Sequence, residues 1–211
     1  MIVRSYGRDF RLVLDTESRA AEVLFPEERA LAAGMGDQRF HDFCAGRHCA
    51  HEALRGLGVP PRVILRAESG APLWPDGVTG SISHCPGLAA ACAARIGADG
   101  VASVGVDVER IGRIGRDLWP VLFGAEERAA LSGLPERTVA AYAAAFFSIK
   151  ECVLKIVTVR EMAGLDLPDI TVAVSGSSFG VSVRRSVLPR LSVRIEFLGS
   201  HVMALVSRYL E

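Results

Sequence analysis

Apolar and polar positions follow two different periods along this 211-residue chain, and the changes of period outline its elements. Within residues 17–35 the acidic start Pro26-Glu27-Glu28-Arg29 predicts a short helix after Pro26. Residues 37–57 repeat apolar positions at helical spacing and run into Gly56, Gly58, Pro60 and Pro61, which predicts a longer helix ending there. Residues 61–67 (PRVILRA) read as a strand and residues 68–77 (ESGAPLWPDG) as a turn-rich loop. Three strands are predicted next, at 79–84 (TGSISH), 87–96 (GLAAACAARI) and 102–109 (ASVGVDVE), although the alanines of the middle one by themselves favour helix. Residues 125–134 and 137–158 read as helices, the second apolar enough to be largely buried. Four alternating runs follow, at 169–174, 179–185, 191–198 and 201–209, and predict an antiparallel sheet that closes the domain. A long helix followed by strands thus occurs twice. Laying FCAGRHCAHEAL (43–54) against FFSIKECVL (146–154) sets Arg47 opposite Lys150 and Cys49 opposite Cys152, a hint of two similar halves with a site between them.

Composition narrows the class. Half of the residues are apolar and 23% charged, which is ordinary for a globular chain of one large domain or two small, tightly packed ones. The longest apolar stretches, 88–94 and 202–206, fall short of the roughly 20 residues of a membrane span. The start MIVRSYGRDFRLVLD carries charges where a signal peptide needs an apolar core, so a cytoplasmic protein is expected. Five cysteines with no C-x-x-C pair fit reduced core thiols. The 24 basic and 24 acidic residues cancel, leaving no global field to attract nucleic acid or acidic lipid. Among the basic residues only Lys150 and Lys155 are lysines, and both lie in one segment. An ammonium acts as a compact point charge at a phosphate, whereas arginine is a planar fork, so the pair points to chemistry.

In VASVGVDVERIG the strand period puts Val104, Val106 and Val108 on one face and Gly105, Asp107 and Glu109 on the other. Taken alone, Asp-x-Glu also describes the solvent face of an ordinary strand. In FFSIKECVLKI, however, Glu151 and Lys155 share a helix face and Lys150 adjoins them, adding a third carboxylate and two cations on an otherwise apolar helix. Hard oxygen ligands with no histidine or cysteine nearby favour Mg²⁺ over zinc, and such a cation shares its coordination with phosphate oxygens. Two other sites are rejected. His41, Cys44, His48 and His51 lie on one helix, which offers only two adjacent side chains to a tetrahedral ion. Ser81, Ser83 and His84 lack a G-x-S-x-G elbow, and neighbours on a strand point oppositely.

GVDVE at 105–109 and FFSIKECVLK at 146–155 resemble the two signature motifs of the 4′-phosphopantetheinyl transferases in order and separation. SISHC at 81–85, the GRHCAHEALRGLG helix and the GAPLWPDG loop resemble the enterobactin/surfactin-type bacterial subgroup, so the likeness covers most of residues 37–170. Cys152 and Ile156 depart from the commoner residues without altering a charged position. The resemblance implies an α/β (α+β) fold of two similar halves packed as a pseudo-dimer. Residues 1–103 would form the coenzyme A side and residues 104–211 the catalytic side of one compact unit. It implies an enzyme of the holo-[acyl-carrier-protein] synthase type, which moves the phosphopantetheine arm of coenzyme A to a carrier serine and releases adenosine 3′,5′-bisphosphate. Asp107, Glu109 and Glu151 would hold Mg²⁺, and Glu151 would be the general base. Lys150 and Lys155 would stabilise the diphosphate, with Lys155 able to protonate the leaving phosphate, and Arg39, Arg47, Arg66 and His84 would surround the 3′-phosphate. Partners would be coenzyme A and apo carrier proteins of fatty acid, polyketide or non-ribosomal peptide synthesis, and a monomer would suffice. Two alternatives stand beside this: a Mg²⁺-dependent diphosphate hydrolase, which could use the same triad and lysines, and a coenzyme A or carrier-binding module that has lost catalysis, against which the intact Asp107, Glu109, Glu151 and Lys155 argue. Residues 111–123, IGRIGRDLWPVLF, are expected to dock the carrier through Arg113, Arg116 and Trp119, while Leu118 and Phe123 read equally as core or surface.

Overall fold

A computed structural model describes residues 1–157, 165–184 and 190–210. In chain order the elements are β1 (Ile2–Ser5), β2 (Phe10–Asp15), α1 (Pro26–Leu31), α2 (Asp37–Gly56), β3 (Val78–Cys85), β4 (Leu88–Arg95), β5 (Val101–Arg110), α3 (Trp119–Leu122), α4 (Ala125–Ser132), α5 (Glu136–Ile156), β6 (Ile170–Ser175), β7 (Ser178–Val183), β8 (Leu191–Leu198) and β9 (His201–Tyr209). Residue 158, expected as the last of the long helix, and residue 185, the last of the 179–185 run, lie outside the described residues.

The strands form antiparallel sheets in the orders β1-β2-β4-β3, β5-β9-β8 and β6-β7. Four layers result. Helix α2 lies on the outer face of the first sheet, where Ala45, Cys49, Ala53 and Leu54 meet Val13, Ala89, Ala91 and Ala93. The inner faces of the first and second sheets share a core of Leu12, Leu14, Ala90, Cys92, Val104, Val106, Val108, Met203 and Leu205. Helix α5 covers the second sheet through Phe146, Ile149, Cys152, Val153 and Ile156 against Ala204 and Val206. Each half is therefore a long helix on an antiparallel sheet, as expected. Strand β4 is alanine-rich because both its faces are covered: small side chains admit a helix on one side and a sheet on the other, and that burial overrides alanine's preference for helix.

The structure departs from the sequence reading in four places. The N-terminal residues form β1 and β2, which pair with each other, and β2 pairs with β4. Residues 61–67 are not a strand, since the Pro60-Pro61 start removes two donors and, among the described residues, the only ladder contact there is a bridge from Arg66 to Pro72. The four C-terminal runs do not make one sheet. Among the described residues strands β6 and β7 pair only with each other, while β9, buried almost throughout, runs between β5 and β8. Finally, β5 runs from Val101 to Arg110, one residue beyond the expected strand at each end.

Candidate active site

Strand β5 turns Val104, Val106 and Val108 into the core between the sheets and gives its other face, with Gly105, Asp107 and Glu109, to helix α5. Gly105 permits that approach: a Cβ there would stand 2.5 Å from the Cys152 carbonyl oxygen and 2.9 Å from Ile156 Cγ2. A helix in contact with the strand backbone brings Glu151 and Lys155 beside the strand carboxylates. Gly46 serves the other half in the same way, since its Cβ would meet Ile82 at 2.8 Å and so hold α2 off β3.

Asp107 is 5% exposed, and its Oδ1 accepts hydrogen bonds from Lys155 Nζ at 2.7 Å and Ser83 Oγ at 2.8 Å. Lys155 also donates to the Val106 carbonyl at 3.0 Å. The lysine thus bridges to the strand instead of pairing with Glu151 along the helix. Asp107 Oδ2 and Glu109 Oε2 are buried without a hydrogen-bond partner among the described residues. Burial, and then the Asp107 charge, push the Glu109 carboxyl up to about 7 and raise that of Glu151 as well. Burial works against the Lys155 charge, but Asp107, Cys152 and Glu151 together outweigh it and raise the ammonium's pKa. Among the described residues no three acidic, histidine or cysteine side chains already form an ion cage. The partnerless buried carboxylate oxygens nevertheless fit a hard cation, because a cation would satisfy both and relieve the repulsion that raises Glu109.

The expected cationic group also comes together. Arg39, Arg47, Arg66 and His84 line one cleft of about 130 Å³ with Phe43, Gly46 and Ile82. Arg39 donates to His84 Nε2, and burial followed by the Arg39 charge lowers the His84 pKa, which favours the neutral imidazole. Arg47 is 6% exposed and lies over the Phe43 ring at 4.7 Å, while Arg66 donates to the Gly70 carbonyl at 3.0 Å. His84 and Ser83 are neighbours on β3. The strand therefore carries the cationic cleft and, one residue away, the hydroxyl that holds Asp107. Ser81 and Ser83 also join the halves, through Ser81 Oγ to the Val106 carbonyl at 3.4 Å and Val108 N to Ser83 Oγ at 3.3 Å. This structural role of Ser83 was not read from the sequence, although the alternation Ser-x-Ser facing an acidic strand was its signal.

Two expectations are corrected. Lys150 does not reach the site. Its side chain is 0% exposed and donates to Glu127 Oε2 at 2.7 Å, the Leu122 carbonyl at 2.8 Å and the Leu167 carbonyl at 2.9 Å. Adjacent residues on a helix point about 100° apart, so Lys150 faces α4 while Glu151 faces the strand. Trp119 is not a docking residue either. It is 5% exposed and shares a core with Ile114, Phe123 and Phe146, because α3 folds its apolar face inward. From the same segment Leu118 and Val121 remain exposed at 39% and 64%, and Arg116 stacks on the Trp119 ring at 4.9 Å while pairing with Glu136 at 2.8 Å.

The described residues contain no helix long and apolar enough to cross a membrane. All five cysteines are free and buried.

Comparison with known proteins bears on both halves. Residues 27–94 match the profile of the 4′-phosphopantetheinyl transferase N-terminal domain, and residues 103–206 match that of the 4′-phosphopantetheinyl transferase superfamily. The chain is 36% identical over 176 residues to 4′-phosphopantetheinyl transferase Svp of Streptomyces mobaraensis, covering 83% of this chain and 70% of that protein. It is 48% identical over 84 residues to 4′-phosphopantetheinyl transferase PptT of Mycobacterium tuberculosis, covering 40% and 36%. It is 35% identical over 181 residues to enterobactin synthase component D of Salmonella typhi, covering 82% and 73%, in keeping with the bacterial subgroup it resembles. With both halves matched and more than two thirds of a relative spanned, this chain belongs to the 4′-phosphopantetheinyl transferase family.

Proposed function

We propose that this protein transfers the 4′-phosphopantetheine arm of coenzyme A to a serine hydroxyl of an apo carrier protein. In the finer terms, it works as a holo-[acyl-carrier-protein] synthase. One observation supports the reading above others: β3 sets a cleft of four cationic or histidine side chains next to buried, partnerless carboxylate oxygens. A ligand with one phosphate in the cationic cleft and a second, cation-bound phosphate matches both ends.

In the proposed reaction the 3′-phosphate lies among Arg39, Arg47, Arg66 and His84, and the diphosphate reaches toward Asp107. Asp107, Glu109 and Glu151 would hold Mg²⁺, which supplies Lewis-acid stabilisation of phosphate charge when bound. Glu151 takes the proton of the carrier serine. The serine oxygen bonds to the β-phosphorus, and the bond from that phosphorus to the bridging oxygen breaks. The leaving group is adenosine 3′,5′-bisphosphate, which carries the electron pair. Lys155 is the nearby cation for the leaving phosphate. Its raised pKa favours an ammonium that stabilises charge in place over one that gives up its proton.

Residues 1–103 are assigned to the coenzyme A side and 104–211 to the catalytic side of one unit, and because both sides lie in one chain a monomer is sufficient. Free buried thiols support a reducing, cytoplasmic setting, and balanced charge supports a protein rather than nucleic acid or membrane partner. Incubation with coenzyme A, Mg²⁺ and an apo carrier protein tests the function. A carrier mass gain of one phosphopantetheine supports transfer. Bisphosphate release without carrier would mark a hydrolase, and binding without turnover a non-catalytic module.

Arg47→Ala is expected to raise the KM for coenzyme A about tenfold or more, the scale of a lost charge-assisted phosphate contact, and to alter that for dephospho-coenzyme A much less. Equal losses on the two substrates would place Arg47 away from the 3′-phosphate. For the carrier, Arg113→Glu combined with Arg116→Glu is expected to lower kcat/KM several-fold at low salt and less at high salt, because steering is screened. Coenzyme A affinity stays the same. Normal rates at low ionic strength would remove residues 111–123 as the docking surface.

A further inference from the structure

We propose that the buried carboxylate of Glu28 is a positioning residue for the coenzyme A side of the site, holding the Arg47 guanidinium at the cleft. The proposal rests on reading that cleft as the seat of the 3′-phosphate.

Glu28 is 0% exposed. Its Oε2 accepts from Phe25 N at 3.0 Å and closes the start of α1. Its Oε1 accepts from Ile64 N at 3.0 Å and is 3.0 Å from His51 Nε2. Ile64 opens the loop that delivers Arg66, and His51 stands one turn beyond Arg47 on α2. One carboxylate therefore ties together α1, α2 and that loop. The same Oε1 lies 3.7 Å from Arg47 Nε. Burial pushes the Glu28 carboxyl up, but the bonds from His51, Ile64 N and Phe25 N outweigh it and hold its pKa below the ordinary value. Glu28 is thus a full counter-charge for a guanidinium that is itself buried and needs one. Because Nε is the nitrogen nearest Glu28, the two terminal nitrogens of Arg47 are left for the cleft it lines. A nearby anion also repels phosphate, yet it acts on a ligand there only across the intervening guanidinium. Orientation of the fork is then the stronger effect.

The other half repeats the device. Residues 26–31 (PEERAL) and 125–131 (AEERAAL) both place a buried glutamate at the third position of a short helix. Glu127 accepts from Gly124 N at 2.8 Å, Val172 N at 2.9 Å and Lys150 Nζ at 2.7 Å, as Glu28 does from Phe25 N and Ile64 N with Arg47 nearby. The difference lies in the cation. Lys150 is consumed by two backbone carbonyls, whereas Arg47 Nε makes no hydrogen bond and the side chain borders a cleft. The N-terminal copy has kept the anchor and turned its cation toward a ligand.

Transfer kinetics with coenzyme A and dephospho-coenzyme A, for wild type, Glu28→Gln, Arg47→Ala and the double variant, test this. Glutamine cannot accept on both sides of its amide and carries no charge. Glu28→Gln is expected to raise the KM for coenzyme A about tenfold, that for dephospho-coenzyme A less than about twofold, and to have no further effect in the Arg47→Ala background. An equal change on both substrates, or one that persists without Arg47, marks a merely structural role and overturns the proposal. A wild type that does not distinguish the two substrates would instead sink the cleft reading, and this proposal with it. If Glu28→Gln is not recovered folded, Glu28→Asp, which keeps the charge but withdraws it by one methylene, is judged by the same ratio.

Discussion

Glu151→Gln lowers transfer by about 10²–10⁴, the usual worth of a positioned general base, while coenzyme A still binds. The amide fills the space of the carboxylate and offers a weak oxygen ligand, but it cannot accept the serine proton. Its neighbours make the result informative. Lys155 is committed to Asp107, at 2.7 Å, so the substitution does not free a buried ammonium. The binding cleft lies on β3 and α2, so a loss of chemistry separates from a loss of affinity. The measurement is single-turnover transfer alongside calorimetric binding of coenzyme A. Near-normal turnover would remove Glu151 as the base.

Lys150→Met is expected to have the largest effect on stability. The Lys150–Glu127 pair is fully buried on both sides, and removing one partner of such a pair typically costs about 3–5 kcal/mol. Two carbonyls, of Leu122 and Leu167, lose their donor as well. Against a typical stability of about 5–15 kcal/mol, this lowers Tm by roughly 10 °C. The folded fraction at low temperature should keep its KM for coenzyme A, because the ammonium faces α4 and not the cleft. Thermal melts and substrate kinetics on one preparation check both statements. A variant as stable as wild type with impaired coenzyme A binding would return Lys150 to the diphosphate.

Local pattern made much of this legible. The helical period of residues 37–57 and the stops after it predicted α2, and the alternation in VASVGVDVE placed Asp107 and Glu109 on one face. The charged residues of FFSIKECVLK stood out because the rest of that helix is apolar. These are properties of the chain's own period, which states which face is buried without reference to what buries it. The same limit explains the misses. Strands β1 and β2 carry arginines, and nothing in their own pattern shows that β2 pairs with β4; residues 61–67 have strand composition but no strand beside them among the described residues.

What the sequence determined by itself was the kinds of residue available, their faces, and through two motifs the family. The tertiary structure decided who meets whom. Gly105 lets α5 touch β5, which gives Lys155 to Asp107 instead of Glu151, and the helix rotation this sets turns Lys150 away to Glu127. Arg39, Arg47, Arg66 and His84 lie up to 45 positions apart and form one cleft only because α2, the 61–73 segment and β3 pack together. Partnership between ionic groups depends on distances across elements, and periodicity within an element carries no such distance.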